Sequence, residues 1–130
     1  MTETPPAVLV VEDEPLTLLC TADDLRVEGF TVYAAPNAKV ALQQLENHKD
    51  IGIMLTDIDM PGKMNGLSLS FAVRDQHPEM KIVLTSGMHR LGGDMMPAGG
   101  IFLPKPYLIS SVICAISEAQ RASIAGLHAR

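Results

Sequence analysis

Cysteine is scarce in this chain, two residues of 130, which leaves no disulfide framework and no thiolate metal cluster to build on. Cys20 and Cys114 both fall within apolar helical patterns and read as small buried thiols kept reduced. Positive charge is in deficit as well: 10 Lys and Arg against 15 Asp and Glu give a net charge of −5. That balance excludes the basic face a nucleic-acid binder needs. Long hydrophobic runs are missing, so no segment approaches the roughly 20 residues that cross a bilayer. The opening "MTETPPAVLV" has an acidic start and no basic-then-apolar leader. A cytoplasmic protein with no membrane partner is expected. Repeats, low-complexity tracts and linkers are also lacking. Hydrophobic residues nonetheless make up 47% of the chain, enough to fold, and the length suits one domain with one core. We place that domain at 7–122, with flexible ends at 1–6 and 123–130.

Five short apolar runs alternate with helical patterns. "AVLVV" (Ala7–Val11) is continuous, as in a strand covered on both faces. After Glu12-Asp13-Glu14, Pro15 opens a helix predicted to run to Glu28 and stop at Gly29. "FTVYA" (Phe30–Ala34) alternates more than the first run and is placed at or near a sheet edge. Ala38, Ala41, Leu42 and Leu45 form one helical stripe with Asn37 as its N-cap. "IGIMLT" (Ile51–Thr56), "KIVLTS" (Lys81–Ser86) and "GIFLP" (Gly100–Pro104) are the remaining strands. A helix over 67–77 lies between the first two of these. The last helix carries Ile109, Val112, Ile113 and Ile116 at helical spacing. This order predicts a doubly wound α/β fold: a five-stranded parallel sheet with right-handed crossovers and helices on both faces. "GMHRLGGDMMPAGG" (Gly87–Gly100) should hold the fourth helix, yet has five glycines and a proline. At about 1 kcal/mol per interior glycine, only a short helical turn is expected there, near His89–Leu91 or Asp94–Met96.

The acids decide the chemistry. In "IMLTDIDMPG" a buried-type strand ends in Asp57 and Asp59, and a stranded carboxylate beside a core is unfavourable unless something uses it. In a doubly wound sheet of order 2-1-3-4-5, strand ends flanking the reversal of order gather in one crevice. Glu12, Asp13, Asp57, Ser86 and Lys105 all fall at that rim. Two carboxylates about 4 Å apart repel by roughly 4 kcal/mol at an effective dielectric near 20, and one lysine does not neutralise three or four of them. A divalent cation does, and an all-oxygen shell favours Mg²⁺, Mn²⁺ or Ca²⁺ over zinc. An ionised aspartate can attack phosphorus and form an aspartyl phosphate. In that reading Asp57 is the nucleophile, Lys105 balances phosphoryl charge and Ser86 donates a hydrogen bond.

Taken together, "VLVVEDEP", "LTDIDMPG", "LTSG" and "FLPKPY" resemble the receiver domain of two-component response regulators across nearly the whole chain. The resemblance implies a flavodoxin-like fold and makes Asp57 the phosphoacceptor. It implies Mg²⁺ (Mn²⁺ as a substitute) held by Asp13, Asp57 and the backbone carbonyl of Asp59, with Glu12 acting indirectly. Ser86 matches the switch hydroxyl, Phe102 the switch aromatic and Lys105 the family lysine, whose bond to Pro106 is usually cis. The implied partners are a sensor histidine kinase or histidine phosphotransfer protein and a downstream protein target. The receiver would act as a monomer or weak homodimer, catalysing only its own modification. Lys63 lengthens the loop after Asp57 by one residue, and Phe102 stands where many relatives have tyrosine. The depleted fourth helix fits receivers that stand alone or are attached to hybrid kinases.

Two other readings compete. Asp57 and Asp59 also resemble the Asp-x-Asp pair of haloacid-dehalogenase-type phosphatases, although that pair normally follows the first strand. A phosphorylation-independent interaction module of the same fold is the other, against which the complete acid, hydroxyl and lysine set argues. A flavin site is disfavoured because no phosphate loop rich in Gly, Ser or Thr follows the first strand. His48, His77, His89 and His128 are scattered and read as surface residues.

Overall fold

The computed structural model describes residues 6–62, 64–89 and 91–128. Five strands, β1 (Ala7–Val11), β2 (Val32–Ala35), β3 (Ile51–Asp57), β4 (Lys81–Ser86) and β5 (Ile101–Pro104), form one parallel sheet in the order β2-β1-β3-β4-β5. Helices α1 (Pro15–Val27), α2 (Ala38–Asn47), α3 (Gly66–Gln76) and α4 (Ile109–His128) connect and close it. This is the flavodoxin-like doubly wound arrangement.

The continuous apolar runs make sense once both faces are covered. Leu9, Met54, Ile82 and Leu84 point to the face closed by Ala41 and Leu45 of α2 and Leu69 and Val73 of α3. Val8, Val10, Ile53, Leu55 and Val83 point the other way, onto Ala22 and Leu25 of α1 and Val112 and Ile116 of α4. Each such aliphatic side chain contributes about 1.5–3 kcal/mol by burial. The helices begin where side chains cap them. Asn37 accepts from the Val40 N–H at 2.8 Å and Asn65 from the Ser68 N–H at 2.9 Å, while Glu14 caps α1 ahead of Pro15. Each cap is worth about 1 kcal/mol.

Several boundaries differ from expectation for local reasons. Gly29, at φ +101°, ends α1, and Phe30 still donates to the Leu25 carbonyl. Phe30 therefore belongs to the helix terminus, and β2 starts at Val32. Among its described residues, the stretch after β4 contains a 3-10 turn at Gly93–Met95, within one residue of the second expected position; the first, His89–Leu91, includes Arg90, which lies outside the described residues. Leu91 and Met96 pack this irregular crossover against the core. α4 runs on to His128, past the expected domain end at 122. Residues 1–5 and 129–130, like Lys63 and its one-residue insertion, lie outside the described residues.

The cysteine expectation is overturned: Cys20 and Cys114 are both exposed. Their helices turn small residues and branched aliphatics inward, Ala22 and Leu25 on α1 and Val112 and Ile116 on α4. The thiols fall on the outer flanks. No helix among the described residues is long and apolar enough to cross a membrane.

Candidate functional site

Parallel register brings the strand ends level. Val11 lies beside Thr56, Asp57 beside Thr85, and Ser86 beside Pro104. Ladder bonding continues one residue beyond the strands. Glu12 N–H donates to the Ala35 carbonyl at 3.1 Å, Ile58 N–H to Thr85 at 2.9 Å, and Lys105 N–H to Ser86 at 2.9 Å. The reactive side chains thus stand on backbone that the sheet holds rigid. The Lys105–Pro106 bond is cis.

Glu12 and Asp57 are buried and Asp13 is exposed at the rim. Carboxylate oxygens of all three lie within 4.8 Å of one another. Lys105 Nζ sits 3.0 Å from Glu12 Oε2 and 3.1 Å from Asp57 Oδ2. One ammonium therefore faces two buried acids, and the electrostatics show the shortfall. Burial raises the Glu12 carboxyl to about 7; the neighbouring Asp57 adds to the rise, and Lys105 opposes it without cancelling it. Burial alone would lower the Lys105 ammonium, but Glu12 and then Asp57 outweigh it, so Lys105 stays firmly protonated. A cup of three carboxylates with an all-oxygen donor set fits a hard divalent cation such as Mg²⁺.

Asp59 divides its roles between backbone and side chain. Its N–H donates to Asp57 Oδ1 at 3.0 Å, placing the Asp59 main chain beside the acceptor carboxylate. Its side chain turns toward the end of β4. There Oδ2 accepts from the Ser86 hydroxyl at 2.7 Å and the Gly87 N–H at 3.1 Å, while Oδ1 lies 2.8 Å from His89 Nδ1. Burial pushes the Asp59 carboxyl up, but Ser86, His89 and the Gly87 and Met88 amides outweigh it and hold it below the usual range. Ser86 is fully buried, and its oxygen accepts from the Met88 and His89 N–H groups at 3.0 and 2.8 Å. Phe102 is half-buried against the core face that α2 and α3 cover.

Glu12, Asp13, Asp57 and Lys105 therefore converge, and Ser86 reaches the group through Asp59. Three contributors went unread in the sequence. His89, which reads as a surface residue in the sequence, is exposed yet bonded into the site; its spacing of three from Ser86, matching a capping turn, is the available signal. Gly66, the first residue of α3, packs against the Asp57 main chain, where an added Cβ would overlap the carbonyl oxygen. Tyr107, just after Pro106, shares a hydrogen bond of 3.2 Å with Thr21 of α1 and ties the lysine loop to that helix.

A family model described as the response regulator receiver domain matches residues 8–111. The chain is 30% identical over 115 residues to the sensor kinase CckA of Brucella abortus, covering 85% of this chain and 12% of that protein. It is 31% identical over 118 residues to the transcriptional regulatory protein PdtaR of Mycobacterium tuberculosis, covering 88% and 57%. The chain thus spans less than two thirds of each of these curated relatives. Among solved structures, a response regulator receiver protein from Sinorhizobium medicae superimposes with a TM-score of 0.80 at 28% identity, over 91% of this chain and 96% of that one.

Proposed function

The chain belongs to the response regulator receiver family, and from that premise we propose that it accepts a phosphoryl group on Asp57 and signals the change to a partner protein. The observation that carries the reading is Lys105 seated on Asp57 Oδ2 inside a cup of carboxylates. Asp13, Asp57 and the Asp59 carbonyl would hold Mg²⁺, with Glu12 behind them. Bound there, the ion supplies the positive charge that Lys105 alone does not.

The donor is a phosphohistidine on a sensor kinase or phosphotransfer protein, or a small acyl phosphate. A carboxylate oxygen of Asp57 bonds to phosphorus as the phosphorus–nitrogen bond breaks, and the departing imidazole keeps the electron pair. Lys105 places its charge where the phosphoryl oxygens arrive. Water attack on phosphorus later restores Asp57 and releases inorganic phosphate. The protein turns over only its own modification and has no separate substrate. The modified state draws Ser86 toward the phosphoryl group and repacks Phe102, a shift between populations. A groove of about 700 Å³ beside Lys105 supports a protein donor; Leu16, Cys20 and Thr21 of α1 and Tyr107 and Ile109 line its walls. Leu16 and Leu19 are exposed on that helix, as is Leu108 next to Tyr107. Such apolar residues around a charged site suit a docking helix.

Intact-mass measurement after incubation with acetyl phosphate and Mg²⁺ tests the assignment. Wild type gains one phosphoryl group, chelator abolishes the gain, and Asp57→Asn gains nothing. Equal labelling of Asp57→Asn would overturn it, as would steady turnover of a generic phosphate monoester.

A further inference from the structure

We propose that the Asp59 side chain is an internal competitor for the Ser86 hydroxyl, a latch that holds the switch residue off the acceptor until phosphorylation. The inference rests on the phosphoacceptor reading of Asp57 and assigns Asp59 a role separate from that of its backbone carbonyl.

A serine hydroxyl has a single proton to give. Here that proton goes to Asp59 Oδ2 at 2.7 Å. The Ser86 oxygen meanwhile accepts from two backbone amides, those of Met88 and His89. Phosphoryl oxygens only accept. They gain a bond from Ser86 only if its hydroxyl turns away from Asp59, so the two acceptors compete for one donor. Hydrogen bonds to ionised acceptors are short and strong, and this one is partly buried, with Ser86 at 0% exposure.

Asp59 is itself held in place. The Gly87 N–H shares Oδ2 at 3.1 Å and His89 Nδ1 contacts Oδ1 at 2.8 Å. Both contacts come from the loop that follows Ser86, so the carboxylate and hydroxyl are pinned by the same few residues. Asp59 is absent from the group of carboxylates whose oxygens lie close enough to share a metal among the described residues. Its side chain is therefore available for this second duty. His89 acts here as a positioning residue, keeping Asp59 turned toward β4.

The test is a double-substitution cycle read by the apparent affinity for beryllofluoride, a phosphoryl mimic, in Mg²⁺ buffer. Asp59→Ala leaves the main-chain carbonyl in place and frees the Ser86 proton. It should tighten beryllofluoride binding about tenfold. In a Ser86→Ala background the same change should have little effect, because there is no hydroxyl to release. Asp59→Asn keeps the shape and a weaker, neutral acceptor, so a smaller gain that again depends on Ser86 is expected; it serves if the alanine variant folds poorly. Equal gains with and without Ser86 would overturn the latch, since they would report only the loss of a negative charge. An unchanged affinity in Asp59→Ala would overturn it as well. If wild type neither binds beryllofluoride nor labels at Asp57 with acetyl phosphate, the phosphoacceptor reading falls and the latch with it. A wild type that labels while the cycle shows no coupling removes the latch alone.

Discussion

Gly66 opens α3 with its backbone against the main chain of Asp57. Any side chain there meets rigid β3 backbone, which cannot swing aside as a flexible side chain would. Gly66→Ala should therefore destabilise the fold by about 1–3 kcal/mol, the usual range for overpacking. It should also slow phosphoryl uptake by displacing the acceptor. Denaturant unfolding and acetyl phosphate labelling of the same sample check both; a variant as stable as wild type would refute the contact. The comparison with Asp13, Asp57 and Lys105 is instructive. Those residues were legible in the sequence because a charged side chain after a buried-type strand stands out chemically. Gly66 has no chemistry to read, and its role depends on the path of a chain segment nine positions earlier. His89 was missed for a related reason: a histidine in a loop looks the same whether it faces water or a carboxylate.

The crossover between β4 and β5 covers the sheet without a full helix, and one arginine ties it to the turn between α3 and β4. Arg74 of α3 donates from Nε to the Ala98 carbonyl at 3.0 Å. Its Nη1 reaches the carbonyls of Pro78 at 2.9 Å and Met80 at 2.6 Å, with His77 at 3.4 Å. A planar fork satisfies several acceptors at once, which a lysine ammonium on a flexible stem does not reproduce. Arg74→Ala should lower stability by about 1–3 kcal/mol, since it leaves partly buried carbonyls unpaired, and Arg74→Lys should recover only part of this. Hydrogen exchange locates the effect: amides around Gly99 and Gly100 should exchange faster, while those of β1 and β3 keep their protection. Uniform loosening of the whole sheet would contradict this account. The strands and the helix stripes were readable because their periods of 2 and 3.6 come from burial on one or two faces. The arginine clamp was not, because its partners are backbone carbonyls, which every residue type carries.

Viewed as one body, the sheet concentrates negative charge at one rim and accepts a cost in stability for it. The alternation of strand and helix was enough to specify a parallel doubly wound sheet, and that architecture alone brings Glu12, Asp13, Asp57 and Lys105 to one crevice. The exposure of Cys20 and Cys114 was not readable, because it depends on how far each helix rotates as its larger aliphatic residues seek the core. Glu12 and Asp57 lie within 4.8 Å of each other, a repulsion of roughly 3 kcal/mol or more at an effective dielectric near 20 before Lys105 offsets part of it. Asp13 adds a third charge, and among the described residues Lys105 is the ammonium paired with the cup. The cluster should therefore weaken the metal-free protein and stabilise the loaded one, as active sites commonly trade stability for function. An ion that binds the folded chain alone adds about 2.7 kcal/mol at a hundred times its dissociation constant. Mg²⁺ should accordingly raise the melting temperature of wild type by several degrees. Asp13→Asn should do two opposite things: melt higher than wild type in chelator, because a repulsive charge is gone, and respond less to Mg²⁺, because a ligand is gone. Calorimetry of both proteins in chelator and in Mg²⁺ separates these effects. A wild-type melting temperature indifferent to Mg²⁺ would mean that the three carboxylates do not form a metal cup.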